Sequence, residues 1–171
     1  MEISIIDIKE STSVDGPGLR TSIYCAGCEH ACVGCHNPQS WNMGAGEKMN
    51  IDDVVDCVLK NESEDLTFSG GDPMFQAEQF AYIAKRVKRE SSKNIWCYTG
   101  FTFERLLKNP KKKELLNYID VLVDGRYNEK KRDPNLLFRG SSNQRIIDVQ
   151  KSLCHNTVVE LKIDNVCEWL R

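Results

Sequence analysis

Short apolar runs recur along the chain, and each is followed by a polar or glycine-containing segment. Five of these runs are rich in β-branched and aromatic side chains, namely residues 2–8, 21–25, 66–68, 94–99 and 119–123. Short runs of this composition, bounded by turn residues, are typical of strands. The pattern therefore predicts at least five strands, joined by turns or helices.

Helical spacing separates several of the predicted strands. Asn50 is a predicted N-cap, because acidic residues fill the next turn and apolar residues recur at helical spacing over 54–59. A second helix is predicted from about 76 to 90, and a third over 103–118 with a break at Pro110. Strand, loop and helix recur in this order, which predicts α/β architecture with a mostly parallel sheet.

The length limits how that sheet is arranged. A full eight-stranded β/α barrel takes about 250 residues, and the chain has 171. We therefore expect a partial, open β/α barrel in a single domain over residues 1–171. Its core is expected at about 1–147, with residues 148–171 as a C-terminal appendage of undetermined structure. Within that region, residues 157–163 are a candidate last strand.

Composition excludes several classes of protein. The chain has 23 Lys and Arg against 25 Asp and Glu, a formal charge of −2, which disfavours a globally basic nucleic-acid binder. No stretch approaches 18 apolar residues, so no membrane-spanning helix is expected. The first seven residues lack a basic segment and a long apolar segment, which predicts a cytoplasmic protein without a secretory signal.

The cysteines are unevenly distributed. Of the eight, four fall inside eleven residues: Cys25 ends the second predicted strand, and Cys28, Cys32 and Cys35 follow it. This clustering indicates metal chemistry in a reducing compartment rather than a disulfide framework. The last three form a C-x3-C-x2-C pattern, whose thiolates can hold three irons of a 4Fe–4S cluster and leave the fourth iron free for another ligand. We favour this interpretation.

Two alternatives stay open for these thiols. Adding Cys25 gives four thiolates, as in a structural zinc site, although the two pairs lie closer together than in most zinc sites. Buried or redox-active thiols are the other alternative. We interpret Cys25 as a neighbour of the cluster rather than a ligand, and Cys57 and Cys97 as buried apolar residues. Cys154 and Cys167 receive no role.

Several segments carry a resemblance to a known family. The C-x3-C-x2-C pattern after a strand resembles that of the radical S-adenosylmethionine enzymes. Residues 14–20 (VDGPGLR) resemble a segment of their glycyl-radical activating members, and residues 68–73 (FSGGDP) resemble their glycine motif. Residues 96–101 and 121–127 also match. Residues 139–145 (RGSSNQR) are similar to a segment of the activating proteins of anaerobic (class III) ribonucleotide reductases.

The resemblance implies a function. Cys28, Cys32 and Cys35 would hold one 4Fe–4S cluster per chain, and the open iron would bind S-adenosylmethionine. Reductive cleavage would give methionine and a 5′-deoxyadenosyl radical, which takes hydrogen from a glycine of the reductase large subunit. An electron donor such as flavodoxin would reduce the cluster. Contacts to S-adenosylmethionine are expected from six residues: Gly34, Cys35, His36, Gly70, Gly71 and Asp72.

One position departs from the broad superfamily. An aromatic residue usually precedes the third cysteine, and this chain has Gly34, as activators of anaerobic reductases tend to. The resemblance therefore leaves adenine packing to backbone and to neighbours such as His36. We expect His30 and His36 to face solvent rather than to bind metal. Arg139 is a candidate contact for a substrate carboxylate or a partner protein, or a surface arginine.

Two other functions remain possible at this point. One is activation of a different glycyl-radical enzyme, of the formate-lyase type. The other is a zinc-binding adaptor without catalysis. Three lysine-rich runs, at 85–89, 111–113 and 130–132, are either solvated faces or docking surfaces for an acidic partner or electron donor.

Overall fold

A computed structural model describes residues 1–163. Within these residues, seven strands form one sheet with the order β3-β1-β2-β4-β5-β6-β7, and the sheet does not close on itself. The four central strands, β2, β4, β5 and β6, are parallel, and the remaining pairs are antiparallel. The strands are β1 (Glu2–Thr12), β2 (Arg20–Cys25), β3 (Glu47–Asn50), β4 (Asp65–Gly70), β5 (Ile95–Tyr98), β6 (Val121–Asp124) and β7 (Arg145–Asp148).

Five α-helices connect or follow these strands. They are α1 (Ile51–Lys60), α2 (Ala77–Glu90), α3 (Phe103–Leu106), α4 (Pro110–Leu116) and α5 (Val149–His155). The Asn50 side chain caps α1 by accepting the Asp52 N–H at 3.1 Å, as predicted. Pro110 divides the third helical pattern into two helices. It is the first residue of α4, and Asn109 is the N-cap. No helix within residues 1–163 has the length and apolar content needed to cross a membrane.

The two faces of the sheet have different roles. Apolar side chains such as Ile23, Phe68 and Cys97 lie on one face and form a single core with the apolar sides of α1 and α2. Trp96 and Val123 alternate with them along the strands and form a smaller cluster on the other face. Because the helices cover the first face, the second face is free to line a cavity.

The predicted elements are largely confirmed. All five predicted strands and all three helical patterns are present, with Pro110 separating α3 from α4. The chain is mixed α/β with an open sheet, parallel at its centre. Two strands, β3 and β7, were not predicted. The candidate strand at 157–163 instead makes an isolated bridge, between Glu160 and Ile147.

The C-terminal region continues the same packing. β7 pairs with β6, and α5 follows β7 directly, with Val149 buried in the main core. Leu161 and Ile163 pack against the cluster that contains Trp96. The division into a core and an appendage near residue 147 stays a prediction. Cys167 lies outside the described residues.

Candidate functional site

A cavity of about 710 Å3 opens at the carboxyl ends of the parallel strands β2, β4 and β5. This is the edge at which parallel α/β folds build their sites. Six of the eight predicted site residues line it: Cys28, Cys32, Cys35, His36, Gly70 and Gly71. The other two, Gly34 and Asp72, adjoin these residues in the chain without lining the cavity.

The cysteine loop, residues 26–46, folds back on itself beside this cavity. The Gly27 N–H donates to Ser40 O at 2.7 Å, and the Cys28 N–H donates to Trp41 O at 3.0 Å. A turn closed by Cys35 N–H and Cys32 O, at 3.1 Å, brings the second and third cysteines to the same side. The loop therefore presents its three thiols from a backbone that is fixed at both ends.

Backbone N–H groups accompany the thiols. The Asn37 N–H donates to Cys35 Sγ at 3.4 Å. Partial burial raises the pKa of the Cys28 and Cys32 thiols, and backbone N–H groups of His30 and Tyr127 respectively act in the opposite direction. Hydrogen bonds of this kind stabilise thiolates and tune iron–sulfur clusters.

The donor set fits a cluster better than a single ion. Within residues 1–163, no three His, Cys, Asp or Glu side chains are placed to hold one metal ion. Cys28, Cys32 and Cys35 share one cavity, and three such thiolates suit a cluster, in which each thiolate binds a different iron. Cys25 is completely buried and does not line the cavity. The four-thiolate zinc arrangement is therefore not assembled in this structure.

Gly70 and Gly71 bring the end of β4 against the start of the cysteine loop. Gly70 has a φ of +103°, and a Cβ there would overlap the Cys25 backbone. A Cβ on Gly71 would lie 2.5 Å from Gly27 O. The Gly71 N–H also donates to Cys25 O at 2.7 Å. The glycine pair is thus required for a close approach of two backbones, and both glycines line the cavity.

Asp72 is engaged on both oxygens. It is 1% exposed, and its Oδ1 accepts the Met74 N–H at 2.9 Å. Its Oδ2 lies 2.7 Å from His30 Nε2 and accepts from Thr99 Oγ1 at 2.9 Å and from Gly100 N at 3.0 Å. The contact of Asp72 with S-adenosylmethionine stays a prediction. The expectation that His30 faces solvent is wrong, because the residue is only 9% exposed.

The structure explains why glycine precedes the third cysteine. Gly34 has a φ of +74°, and a Cβ there would lie 2.8 Å from Glu129 Oε1. The left-handed backbone favours glycine at this position, because any other residue would be strained there even if the Glu129 side chain moved aside. Instead, the rings of His36 and Tyr127 lie 5.2 Å apart beside the third cysteine, and both line the cavity. Tyr127 is a site residue that sequence reasoning did not single out.

The turn formed by residues 15–18 shapes one wall of the cavity. Arg20 is completely buried beneath it and donates to Pro17 O at 3.1 Å and to Leu66 O at 2.8 Å. Burial lowers the pKa of Arg20 to about 10, and the nearby Asp65 carboxylate opposes that shift. Asp15 lines the cavity and accepts a hydrogen bond from Tyr24 Oη.

The segment 139–145 also contributes to the cavity wall. The Gln144 side-chain oxygen accepts the N–H groups of Gly140 and Ser141 at 3.0 and 3.1 Å. Arg139 Nη1 donates to Gln144 O at 2.8 Å. Both Arg139 and Gln144 line the cavity. The structure therefore places Arg139 at the cavity rather than on a remote surface.

Comparison with known proteins agrees with this geometry. A family model described as a 4Fe-4S single cluster domain matches residues 14–147, which includes the whole cysteine loop. Proteins named anaerobic ribonucleoside-triphosphate reductase-activating protein are also similar to the chain. Those of Haemophilus influenzae and Pasteurella multocida are each 40% identical over 143 residues, covering 78% of this chain and 90% and 89% of theirs. The Escherichia coli K12 protein is 33% identical over 141 residues, covering 77% of this chain and 89% of its own.

Proposed function

The chain belongs to the family of anaerobic ribonucleoside-triphosphate reductase-activating proteins, and from this membership we propose that it generates a glycyl radical on the large subunit of such a reductase. The observation that carries the proposal is the presence of Cys28, Cys32 and Cys35 in one cavity at the strand ends. Three thiols leave one iron of a 4Fe–4S cluster without a protein ligand, so a substrate can bind there.

The cluster and the protein chain have different roles in this proposed reaction. When bound, the cluster supplies the electron that splits S-adenosylmethionine into methionine and a 5′-deoxyadenosyl radical, which takes hydrogen from glycine. The chain holds the cluster through the three thiols and donates backbone N–H groups to them. It also places the reacting atoms in the cavity at the strand ends.

The cavity walls offer contacts for S-adenosylmethionine. Backbone carbonyls at Gly70 and Gly71 are suited to accept hydrogen bonds from its ammonium group. The adenine is expected beside Gly34–His36, where the rings of His36 and Tyr127 provide an aromatic surface for stacking. A cavity of about 710 Å3 lies within the usual range of roughly 300–1,000 Å3 for small-molecule sites.

The open sheet suits a protein substrate. We interpret it as the partial barrel of a radical S-adenosylmethionine enzyme, supported by four parallel central strands with helices on one face. The unclosed side of the cavity gives a large subunit a route to present its glycine. Thiol-rich cluster binding also favours a reducing compartment, so we propose that the protein works in the cytoplasm.

We further propose that the donor of the electron is an acidic carrier such as flavodoxin. Lys112 Nζ lies 3.4 Å from the centre of the Phe101 ring, and Arg105 lies over the same ring at 5.8 Å. The Phe101 ring is 4.6 Å from the ring of His30 in the cysteine loop. A pair of cations this close to the cluster ligands would attract an acidic surface.

A charge reversal tests that docking surface. In Lys112→Glu, reduction of the cluster by flavodoxin is expected to slow about tenfold at low ionic strength, because steering is lost. Stopped-flow absorbance measures the rate, and the difference should shrink as salt rises. Lys85→Glu on α2 makes the same charge change elsewhere. Equal slowing in both variants would contradict the proposed surface.

The proposed activity is tested by electron paramagnetic resonance. The anaerobically reconstituted chain, S-adenosylmethionine and a reductant are mixed with the large subunit of an anaerobic ribonucleotide reductase. We expect a glycyl doublet that Cys32→Ala does not produce. A doublet on a formate-lyase enzyme but not on the reductase would favour the alternative substrate. A colourless chain with zinc and no sulfide would instead indicate the adaptor.

A further inference from the structure

We propose that His30 is a positioning residue, which locks the cysteine loop onto the sheet through Asp72 and thereby sets how the three thiols hold the cluster. The inference rests on the proposed cluster but not on the identity of the protein substrate. It also gives Asp72 a role different from the direct contact with S-adenosylmethionine that the sequence motif implies.

The first argument is the position of His30 in the chain. It lies between Cys28 and Cys32, two of the three proposed ligands. Its side chain is 5% exposed, and its Nε2 lies 2.7 Å from Asp72 Oδ2. A carboxylate only accepts hydrogen bonds, so Nε2 carries the proton and donates it. The loop is thus tied at its middle to the segment that follows β4.

The second argument is that the acceptor is itself immobile. Asp72 accepts hydrogen bonds from Thr99 and Gly100 at the end of β5, in addition to His30. Its other oxygen accepts the Met74 N–H at 2.9 Å and its own N–H donates to Gly27 O at 2.9 Å. Asp72 therefore joins the ends of two strands to the cysteine loop. With four donors on two oxygens, its carboxylate is already satisfied without a ligand.

The third argument is the packing of the imidazole. Its ring stands edge-on to Phe75 and Phe101, with centroids 5.7 and 4.6 Å away. A Cβ on Gly100 would overlap the His30 ring, so the β5 end closes directly over it. An imidazole held by a hydrogen bond and by three neighbours has one orientation. It transmits that orientation to Cys28 and Cys32 through one intervening residue on each side, Glu29 and Ala31.

Removal of His30 is expected to loosen the cluster. In anaerobically reconstituted His30→Ala, we expect iron loss to a chelator to be at least about tenfold faster than in wild type, as for outer partners of other metal ligands. The resonance spectrum of the reduced cluster should also change, because the thiol directions change. His30→Gln, whose amide can donate to Asp72, should restore part of both properties. His155→Ala, which removes an exposed histidine on α5, is the control.

A second variant, Gly100→Ala, disturbs the packing of the His30 ring while His30 itself is kept. Gly100 has no positive φ, so Gly100→Ala is compatible with the backbone, and the three atoms nearest its new methyl group all belong to the His30 ring. We expect Gly100→Ala to speed iron loss when His30 is present. The same substitution should have no further effect in His30→Ala, because the conflicting ring is gone. Additive effects would contradict direct contact as the cause.

Asp72→Asn separates the positioning role from ligand binding. Positioning predicts faster iron loss and an altered spectrum, since an amide has only one acceptor oxygen for the four donors that contact the Asp72 carboxylate. Direct binding predicts an unchanged cluster with weaker S-adenosylmethionine binding, which would overturn the inference. Wild-type iron retention and spectrum in His30→Ala would overturn it as well. A wild-type chain that assembles no iron–sulfur cluster would refute the proposed function together with this inference.

Discussion

Cys25 and Cys28 are three residues apart in the chain but lie in different environments. Cys25 is the last residue of β2, and its side chain joins the main core beneath the helices. Burial raises the pKa of its thiol far above the ordinary range, which keeps it protonated and a poor metal ligand. Cys28 lies beyond the strand end and lines the cavity. The difference follows from where strand pairing ends.

This contrast predicts different results for two cysteine substitutions. Cys32→Ala removes a proposed ligand, so iron and sulfide after anaerobic reconstitution should fall to background. Cys25→Ala should keep the wild-type content and lose about 1 kcal/mol of stability from the core. Iron and sulfide analysis with urea unfolding measures both. A full cluster in Cys32→Ala, or its absence in a folded Cys25→Ala, would contradict the ligand assignment.

At the residue scale, the sequence reveals the proposed cluster ligands more readily than the residues that hold those ligands in position. The spacing of Cys28, Cys32 and Cys35 is a local signal, so it could be interpreted directly. His30 could not, because its partner Asp72 is 42 residues away and the contact depends on the pairing of β2 with β4. Tyr127 was missed for the same reason, since it meets His36 only after the chain has crossed the sheet.

At the scale of elements, burial decides which strands a sequence reveals. β2, β4, β5 and β6 each place buried apolar residues in the main core, and all four were predicted. β3 has the polar sequence EKMN and pairs with β1 at the sheet edge through its backbone. β7 lies at the other edge of the sheet and has only two apolar residues, between Arg145 and Asp148. An edge strand pairs through its backbone, so its side chains need not be apolar and its sequence need not show the pattern typical of strands.

An ion-pair network joins three of these elements. Arg145 at the start of β7 donates to Asp124, the last residue of β6, at 2.9 Å, and to both oxygens of Glu104 on α3 at 3.0 Å. Asp124 also accepts the Phe103 N–H at 2.8 Å. The hydrogen bonds from Arg145 lower the pKa of Glu104 to about 2. The network therefore fixes α3 to the end of the sheet beside the cavity.

The lowered pKa gives a pH dependence of known sign. The ionised Glu104 stabilises the fold above its ordinary pKa of 4.5, and this contribution is lost as the pH falls toward 2. Because the side chain is about half exposed, we expect Glu104→Gln to cost only roughly 0.5–1 kcal/mol at pH 7. The difference in the free energy of unfolding between wild type and Glu104→Gln should become smaller as the pH falls from about 5 to about 3.

Urea unfolding of the metal-free chain at a series of pH values measures that difference. Glu62→Gln, a substitution at an exposed loop residue, is the matched control and should show a smaller cost at pH 7. A difference that stays constant down to pH 3, or one that widens in acid, would show that Glu104 does not stabilise the fold through its charge.

At the scale of the molecule, the arrangement is asymmetric. Helices cover one face of the open sheet, and the cavity occupies the strand ends beside the other. Repeated strand–helix order predicted α/β architecture, and the length of 171 residues predicted that the sheet would stay open. The cavity itself could not be predicted, because its walls come from segments as distant as Asp15, Tyr127 and Arg139.

The central claim is that the three-thiol site supports transfer of a glycine hydrogen to the 5′-deoxyadenosyl radical formed from S-adenosylmethionine. The most direct measurement uses a reductase large subunit whose glycines carry deuterium at Cα, incubated anaerobically with the reduced chain and S-adenosylmethionine. Mass spectrometry should find deuterium in the 5′-deoxyadenosine, with methionine formed in equal amount, and neither product with Cys32→Ala. A glycyl radical accompanied by 5′-deoxyadenosine without deuterium, or formed by Cys32→Ala, would contradict the account.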